Sequence, residues 1–164
     1  GLGLGADVPV FVHGRSAWAE GVGDDLTPVD LPARWYLILA PGCQVATAEI
    51  FGHPELTRNA LPIRIRDFLA GGAGNACQQV VEKLYPQVKA ARLWLAQHGS
   101  AQLTGTGGCL FAGFAGFDAE ERARAVLAAV PEQWQAFVAR GVNQSPLHLQ
   151  LATRTRNSNS RPAD

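Results

Sequence analysis

Hydrophobic residues fall into two regular patterns in the middle of the chain. The first is the unbroken run from Trp35 to Ala40, ended by Pro41 and Gly42, which is typical of a strand buried on both faces. The second has the three-to-four spacing of one helical face: Val80, Leu84, Val88, Ala91 and Leu95. Asn75 is a candidate N-cap for this helix, and Pro86 kinks or restarts it. The pattern therefore predicts a buried strand followed by helical segments.

The last third of the chain alternates short apolar runs with turn signals. Strands are predicted at residues 103–104 and 109–112, on either side of a glycine-rich stretch at 105–108. Asp118, three residues before Glu121, forms a capping-box-like start for a helix over 119–130, and residues 137–142 form a final strand. From residue 35 the order is thus β, helices, β, β, α, β. This order predicts an α+β fold with a ferredoxin-like split βαβ arrangement.

Residues 1–32 carry Gly, Pro and Asp turn signals between short apolar runs, such as those at 10–12 and 16–19. They predict a small β-meander with a last strand at 26–29. Such a meander is too small to be a domain by itself. We therefore predict that residues 1–32 are the tail of a preceding domain and that 33–152 form a second domain. Residues 153–164, which are nearly free of apolar side chains, are predicted to be a disordered tail.

Composition and charge narrow the class of protein. The chain has 164 residues, 47% hydrophobic and 17% charged, and its 14 basic side chains balance 14 acidic ones. This balance gives no electrostatic footprint for nucleic acid or an anionic membrane, and no apolar run approaches the roughly 20 residues that span a bilayer. We therefore expect a cytoplasmic protein with no nucleic-acid or membrane partner. The absence of methionine and the start at Gly1 predict a fragment or a processed product.

Three segments are candidates for chemistry. Asp7, just before Val8 and Pro9, is either a carboxylate aimed into a cleft or an ordinary turn residue. The stretch Gly105, Thr106, Gly107 and Gly108 offers N–H groups and a hydroxyl to an anion, or is only a hairpin turn. Phe51 is either a stacking platform for a base or a core residue. The cysteines and histidines lack metal-ligand spacing, so no metal site is predicted.

Four segments occur in the same order as in a known enzyme family: residues 4–11, 47–56, 103–108 and 143–148. The first reads Leu-Gly-Ala-Asp-Val-Pro-Val-Phe and the third Leu-Thr-Gly-Thr-Gly-Gly. Together with residues 17–23, they resemble the C-terminal half of the GHMP kinases that act on a cytidyl-linked methylerythritol. The similarity covers almost the whole chain except its last residues.

The resemblance implies transfer of the γ-phosphoryl group of ATP, with Mg2+ expected, to the 2-hydroxyl of this small-molecule substrate. No covalent enzyme intermediate forms, and the step belongs to the non-mevalonate route to isoprenoid precursors. Asp7 matches the family's catalytic aspartate, Phe51 the ring that stacks on the cytosine, and Thr47 a polar neighbour of that site. The stretch Gly105, Thr106, Gly107 and Gly108 matches the family's glycine-rich motif near the phosphates.

The family's catalytic lysine and its glycine- and serine-rich ATP loop have no counterpart among these residues. We therefore expect the missing N-terminal part of the same enzyme as a partner, and no activity from the fragment alone. One alternative is another GHMP kinase, of the homoserine or mevalonate type. The other is a non-catalytic ligand-binding module of ferredoxin-like fold. A core position for the Phe51 ring would remove the best support for a cytidyl substrate.

Overall fold

The computed structural model describes residue 5 and residues 7–60, 63–69 and 74–159. Within this part of the chain the helices are α1 (Val8–His13), α2 (Thr47–Gly52), α3 (Ile65–Leu69), α4 (Gln78–Leu84), α5 (Pro86–Leu95), α6 (Ala119–Ala128) and α7 (Pro146–Asn159). The strands are β1 (Ala17–Glu20), β2 (Asp25–Pro28), β3 (Trp35–Ala40), β4 (Ala101–Thr104), β5 (Cys109–Phe114) and β6 (Gln135–Arg140). These elements form two compact units. One contains the described residues up to Ala33 and those from Val142 on, and the other is Arg34–Gly141.

The second unit is built on a sheet of order β4-β5-β3-β6, in which every neighbouring pair is antiparallel. Leu37 of β3 pairs with Ala112 of β5 on one side and with Val138 of β6 on the other. β3, the first strand of this unit, lies in the interior of the sheet. Each βαβ crossover leaves one strand position open between its two strands, and a strand of the other βαβ unit occupies it. This is the ferredoxin-like arrangement, so the predicted α+β fold class is confirmed.

The core lies on one face of this sheet. In β3, Leu37 and Leu39 are fully buried, whereas Tyr36 and Ile38 are half-buried. Successive side chains of a strand point to opposite faces, so the prediction that β3 is buried on both faces was wrong. The helices supply the other core side chains with 0–1% exposure: Ile50, Val80, Val81, Val88, Ala91, Leu95 and Ala123.

The starts of α4, α5 and α6 show which of the predicted capping residues act as caps. Pro86 restarts the helix, because it occupies the first turn of α5, where its missing N–H would be unpaired anyway. Asn75 does not cap α4, whose N-cap is Cys77. Asp118 is the N-cap of α6 but makes no capping hydrogen bond, and it pairs instead with Arg122 at 3.1 Å. The capping box predicted there therefore does not form.

The first unit contains α1 and the hairpin of β1 and β2, in which Ala17 pairs with Pro28. The run at residues 10–12, which is assigned to the predicted β-meander, is the body of α1, so this part of the prediction was wrong. Pro9 lies within the first turn of α1, where a proline fits without loss of a hydrogen bond. Gly14 ends the helix in the left-handed conformation, with φ of 70°.

The end of the chain differs from the predicted boundaries. The described residues from Val142 on group with the first unit, so the second unit ends at Gly141 and not at residue 152. Helix α7 continues to Asn159, through most of the predicted disordered tail. The predicted tail extends a helix that begins at Pro146, so each of its residues adds a local hydrogen bond without the cost of a new helix nucleus. Among the described helices, none has the length and apolar character needed to span a membrane.

Candidate functional site

Helix α2 presents two of the predicted site residues, Thr47 and Phe51. Its Ile50 is fully buried in the core and anchors the helix to the second unit. Phe51, the next residue, points away from that anchor, and 57% of it is exposed to solvent. The ring of Phe51 is therefore not a core residue but an exposed aromatic surface.

The stretch at residues 105–108 is the tight connection between β4 and β5. The N–H of Gly107 donates to the carbonyl of Thr104 at 2.9 Å, and the Thr104 hydroxyl donates to the carbonyl of Cys109 at 3.1 Å. Gly107 has φ of 106°, and a Cβ there would lie 2.8 Å from a methyl group of Val81. A glycine is therefore required at 107, because the backbone itself packs against α4.

Asn75 holds this loop from the side of α4. Its side-chain amide donates to the carbonyls of Leu103, at 3.2 Å, and Gly105, at 2.7 Å. Its side-chain oxygen accepts a hydrogen bond from the N–H of Cys77 at 2.8 Å. The sequence singles out Asn75 as a helix cap, but its actual role is to fix the glycine-rich loop against the start of α4.

A pair of hydrogen-bonded side chains joins α2 to the loop. The hydroxyl oxygens of Thr47 and Thr106 lie 2.9 Å apart, within hydrogen-bonding distance. The start of α2 is also tied to Tyr85, whose hydroxyl donates to the Glu49 carboxylate at 2.7 Å and accepts from the N–H of Ala46 at 3.2 Å. The structure thus brings Thr47, Phe51 and the glycine-rich loop into one region of the second unit.

The protonation of Tyr85 reflects these contacts. The hydrogen bond from Ala46 favours the phenolate and lowers the pKa of Tyr85, but several other effects oppose it. The bond to the Glu49 carboxylate, burial, and the charges of Glu49 and Cys43 together leave that pKa above its ordinary value. Tyr85 therefore stays protonated and keeps donating its proton to Glu49.

Arg58 fixes the other end of α2, a role that sequence reasoning missed. Its guanidinium donates to the carbonyls of Phe51 at 2.5 Å, His53 at 3.2 Å and Leu56 at 3.2 Å. The Phe51 carbonyl lies in the last turn of the helix and the other two follow it, at the end where backbone acceptors lack intrahelical partners. The only signal in the sequence is a lone arginine shortly after the helix, which is too common to identify the contact.

Asp7 lies in the first unit, as the N-cap residue of α1. It makes no capping hydrogen bond, and its side chain is exposed. Asp7 therefore begins a helix, and Pro9 favours this start because a proline in the first turn loses no hydrogen bond.

Metal and thiol chemistry have little support in the part of the chain that the structure describes. There, no group of three or more His, Cys, Asp or Glu side chains is arranged to hold a metal ion. Cys43, Cys77 and Cys109 are free thiols. Burial raises the pKa of Cys43 and of Cys77, which keeps both in the unreactive thiol form.

The region around α2 and the loop is suited to a ligand with a flat ring and a negative charge. An exposed aromatic ring binds a nucleobase by stacking, and Phe51 offers such a ring. Tight glycine turns and threonine hydroxyls bring N–H and O–H groups within reach of an anion. The Thr47–Thr106 hydrogen bond places the two features side by side.

Comparison with known families identifies the class of protein. Residues 59–136 match the family described as GHMP kinases C terminal, and this segment includes strands β4 and β5, the glycine-rich loop between them and the first two residues of β6. Over these residues the chain is therefore similar to the C-terminal domain of the GHMP kinases.

Two individual relatives of the chain have the name of one particular enzyme. The chain is 53% identical over 159 residues to the 4-diphosphocytidyl-2-C-methyl-D-erythritol kinase of Halorhodospira halophila, a match that covers 95% of this chain and 54% of that kinase. It is 52% identical over 153 residues to the kinase of the same name from Pseudomonas aeruginosa, covering 93% and 53%. The chain thus spans about half the length of the curated relatives it matches.

A solved structure gives the same result. The crystal structure of a 4-(cytidine 5'-diphospho)-2C-methyl-D-erythritol kinase matches with a TM-score of 0.64 at 31% sequence identity. The match covers 86% of this chain and 55% of the crystallised one. The fold of the chain is therefore that of part of this kinase.

Proposed function

We propose that this chain works as the C-terminal part of an ATP-dependent kinase that phosphorylates the 2-hydroxyl of 4-diphosphocytidyl-2-C-methyl-D-erythritol. This is a step in the synthesis of isoprenoid precursors. The observation that carries the proposal is the exposed Phe51 ring on a helix hydrogen-bonded to the glycine-rich loop. The names of relatives at 52–53% identity support the same substrate.

Each predicted residue has a definite role in this proposal. Phe51 stacks on the cytosine, at roughly 1–3 kcal/mol for such a contact, and Thr47 is its polar neighbour. The loop of Gly105, Thr106, Gly107 and Gly108 lies near the phosphates of the substrates. Its backbone approaches a ligand closely because three of the four residues lack a side chain.

Asp7 acts as the general base. It accepts the proton of the 2-hydroxyl as that oxygen attacks the γ-phosphorus of ATP, the bond to the bridging oxygen breaks, and ADP leaves. An aspartate is sufficient because phosphoryl transfer depends mainly on positioning and charge stabilisation. Asp7 is the one predicted site residue with a carboxylate, and its role as the base leaves Mg2+ to the substrate phosphates, which would hold this ion together with waters.

The two rival functions fit the structure less well. The acceptor substrate of a homoserine or mevalonate kinase has no nucleobase, so these kinases give no reason for a second base-stacking ring, exposed on α2, beside their ATP site. A non-catalytic ferredoxin-like module gives no reason for the first unit. In that unit no residue of α1 is fully buried, and its apolar residues Phe11 and Val12 are 78% and 67% exposed. Exposed apolar side chains of this kind mark a surface for a partner, which supports association with the rest of the kinase.

A chimeric kinase tests the proposal. Residues 1–164 are joined to the part of the Halorhodospira halophila kinase that the match does not cover. We expect this chimera to consume ATP only when 4-diphosphocytidyl-2-C-methyl-D-erythritol is present, and the 164-residue chain by itself to consume none. Phosphorus NMR then locates the new phosphate on the 2-hydroxyl.

The controls separate the two parts of this prediction. The native Halorhodospira halophila kinase shows that the assay works, and its isolated remaining part shows that this part alone is inactive. An inactive chimera beside an active native kinase would reject the proposed function. Substrate-dependent ATP consumption by the chain alone would reject only the expectation that it needs a partner.

The Phe51→Ala substitution tests the stacking role. We expect KM of the chimera for the cytidyl substrate to rise by roughly 5- to 150-fold, which corresponds to the 1–3 kcal/mol of a base–aromatic stack. KM for ATP should stay within twofold. Phe137→Ala is the matched control, since Phe137 lies on β6 and is also 57% exposed. Equal effects of the two substitutions on KM would show that Phe51 has no special role.

A further inference from the structure

The closing segment at residues 143–148, one of the four that resemble the kinase family, has no role in the chemistry above. In the structure it runs antiparallel to residues 14–16. The N–H of Ser145 donates to the carbonyl of Gly14 at 2.8 Å, and the N–H of Ser16 donates to the carbonyl of Asn143 at 3.0 Å. An isolated antiparallel bridge joins Arg15 and Gln144 between them. The segment is thus paired to the backbone that follows α1.

The side chain of Asn143 extends this pairing. Its oxygen accepts from the N–H of Leu31 at 2.9 Å, and its amide donates to the carbonyl of Leu31 at 2.8 Å. This contact is partly buried and joins residues 112 positions apart. One amide side chain thereby replaces the two hydrogen bonds that a neighbouring strand would make.

His148 packs against the residue that ends α1. Gly14 is buried and has φ of 70°, and a Cβ added to it would lie 2.5–2.7 Å from three atoms of the His148 ring. The ring therefore lies in the space that any other residue at position 14 would fill. It covers the end of the helix opposite to Asp7.

We propose that Asn143 and His148 are positioning residues for Asp7, an inference that rests on the proposed function. Helix α1 has only 6 residues; Val8, Pro9 and Val10 are half-buried and none is fully buried, so its own side chains do not by themselves fix its direction. The contacts at Gly14 do so, because a short hydrogen-bonded helix moves as one piece and carries Asp7 with it. Misplacement of a catalytic group by about 1 Å costs up to ~10²-fold in rate.

The test uses His148→Ala in the chimeric kinase. We expect kcat to fall at least ~10-fold, with KM for ATP and for the cytidyl substrate unchanged within twofold, because Asp7 moves while the binding residues of the second unit do not. His148→Phe, which keeps a flat ring over Gly14, should restore most of kcat. Leu147→Ala is the control, since Leu147 is the preceding residue of α7 and is 61% exposed.

A second readout uses amide exchange in the 164-residue chain. The N–H groups of Gly14 and Ser145 should exchange at least ~10-fold faster in His148→Ala, since their hydrogen bonds then open more often. If the alanine variant does not fold, His148→Leu serves instead, because it keeps the volume but cannot lie flat on Gly14.

The outcomes separate this inference from the proposed function. An active chimera in which His148→Ala leaves kcat unchanged overturns the positioning role, as does a rise in KM that parallels the fall in kcat. If the unmodified chimera is inactive, the proposed function fails. The exchange experiment still tests whether His148 stabilises the backbone hydrogen bonds at Gly14 and Ser145. Unchanged exchange at Gly14 and Ser145 then overturns the inference.

Discussion

The Asp7→Asn substitution is expected to lower kcat of the chimeric kinase by at least ~10²-fold, which is a typical share for a general base. Asparagine keeps the size and the N-cap position of the side chain but cannot accept the proton of the attacking hydroxyl. KM for both substrates should change little, because Asp7 acts on the reacting proton. Steady-state kinetics with each substrate varied in turn gives both constants.

Asp24→Asn is the control for the loss of one negative charge, since Asp24 lies in the turn between β1 and β2 of the same unit. It should retain full turnover. Turnover of Asp7→Asn within a few-fold of the unmodified chimera would reject Asp7 as the base. The kinase assignment would survive that result, because it rests on Phe51, the loop and the relatives.

The Gly107→Ala substitution is expected to destabilise the second unit by roughly 2–5 kcal/mol. An alanine at φ of 106° is strained by about 1–2 kcal/mol. Its methyl group would also lie 2.8 Å from Val81, which is backed by the packed core, and overpacking of this kind costs about 1–3 kcal/mol. Urea unfolding of the 164-residue chain, followed by the fluorescence of its four tryptophans, measures the loss.

Gly108→Ala is the matched control for Gly107→Ala. A Cβ at Gly108 would meet no atom within 4 Å, and the residue does not have a positive φ. Its substitution should change the free energy of unfolding by less than about 1 kcal/mol. Equal midpoints for the two variants would mean that the loop does not pack on Val81 as the structure has it.

The strands and long helices of the second unit could be predicted because their signals are local. The run from Trp35 to Ala40 coincides with β3, and the turn glycines at 105–108 separate β4 from β5. Of the apolar positions predicted for α4 and α5, Leu84 is half-buried and the others are buried: Val80, Val88, Ala91 and Leu95. A periodic apolar pattern shows which side chains must be buried, and this requirement is the same whichever helix or strand covers them.

The roles of the capping side chains and the structure of residues 10–12 could not be predicted in the same way. Asn75 and Asp118 are side chains that satisfy a helix end in many proteins, yet here one binds the glycine-rich loop and the other binds Arg122. Residues 10–12 have a strand-like composition but lie in α1. In each case, two local structures are close in free energy, and contacts with a distant part of the chain decide between them.

The α+β class, the strand order along the chain and the candidate residues all follow from the amino-acid sequence: Asp7, Thr47, Phe51 and those at 105–108. The contacts that hold these residues became visible in the folded chain: Thr106 beside Thr47, Arg58 on the carbonyl of Phe51, and His148 on Gly14. Burial follows from local composition, whereas a hydrogen bond or a close packing contact needs two partners in a fixed geometry. Those partners are 59 residues apart for the two threonines, and no local pattern records that distance.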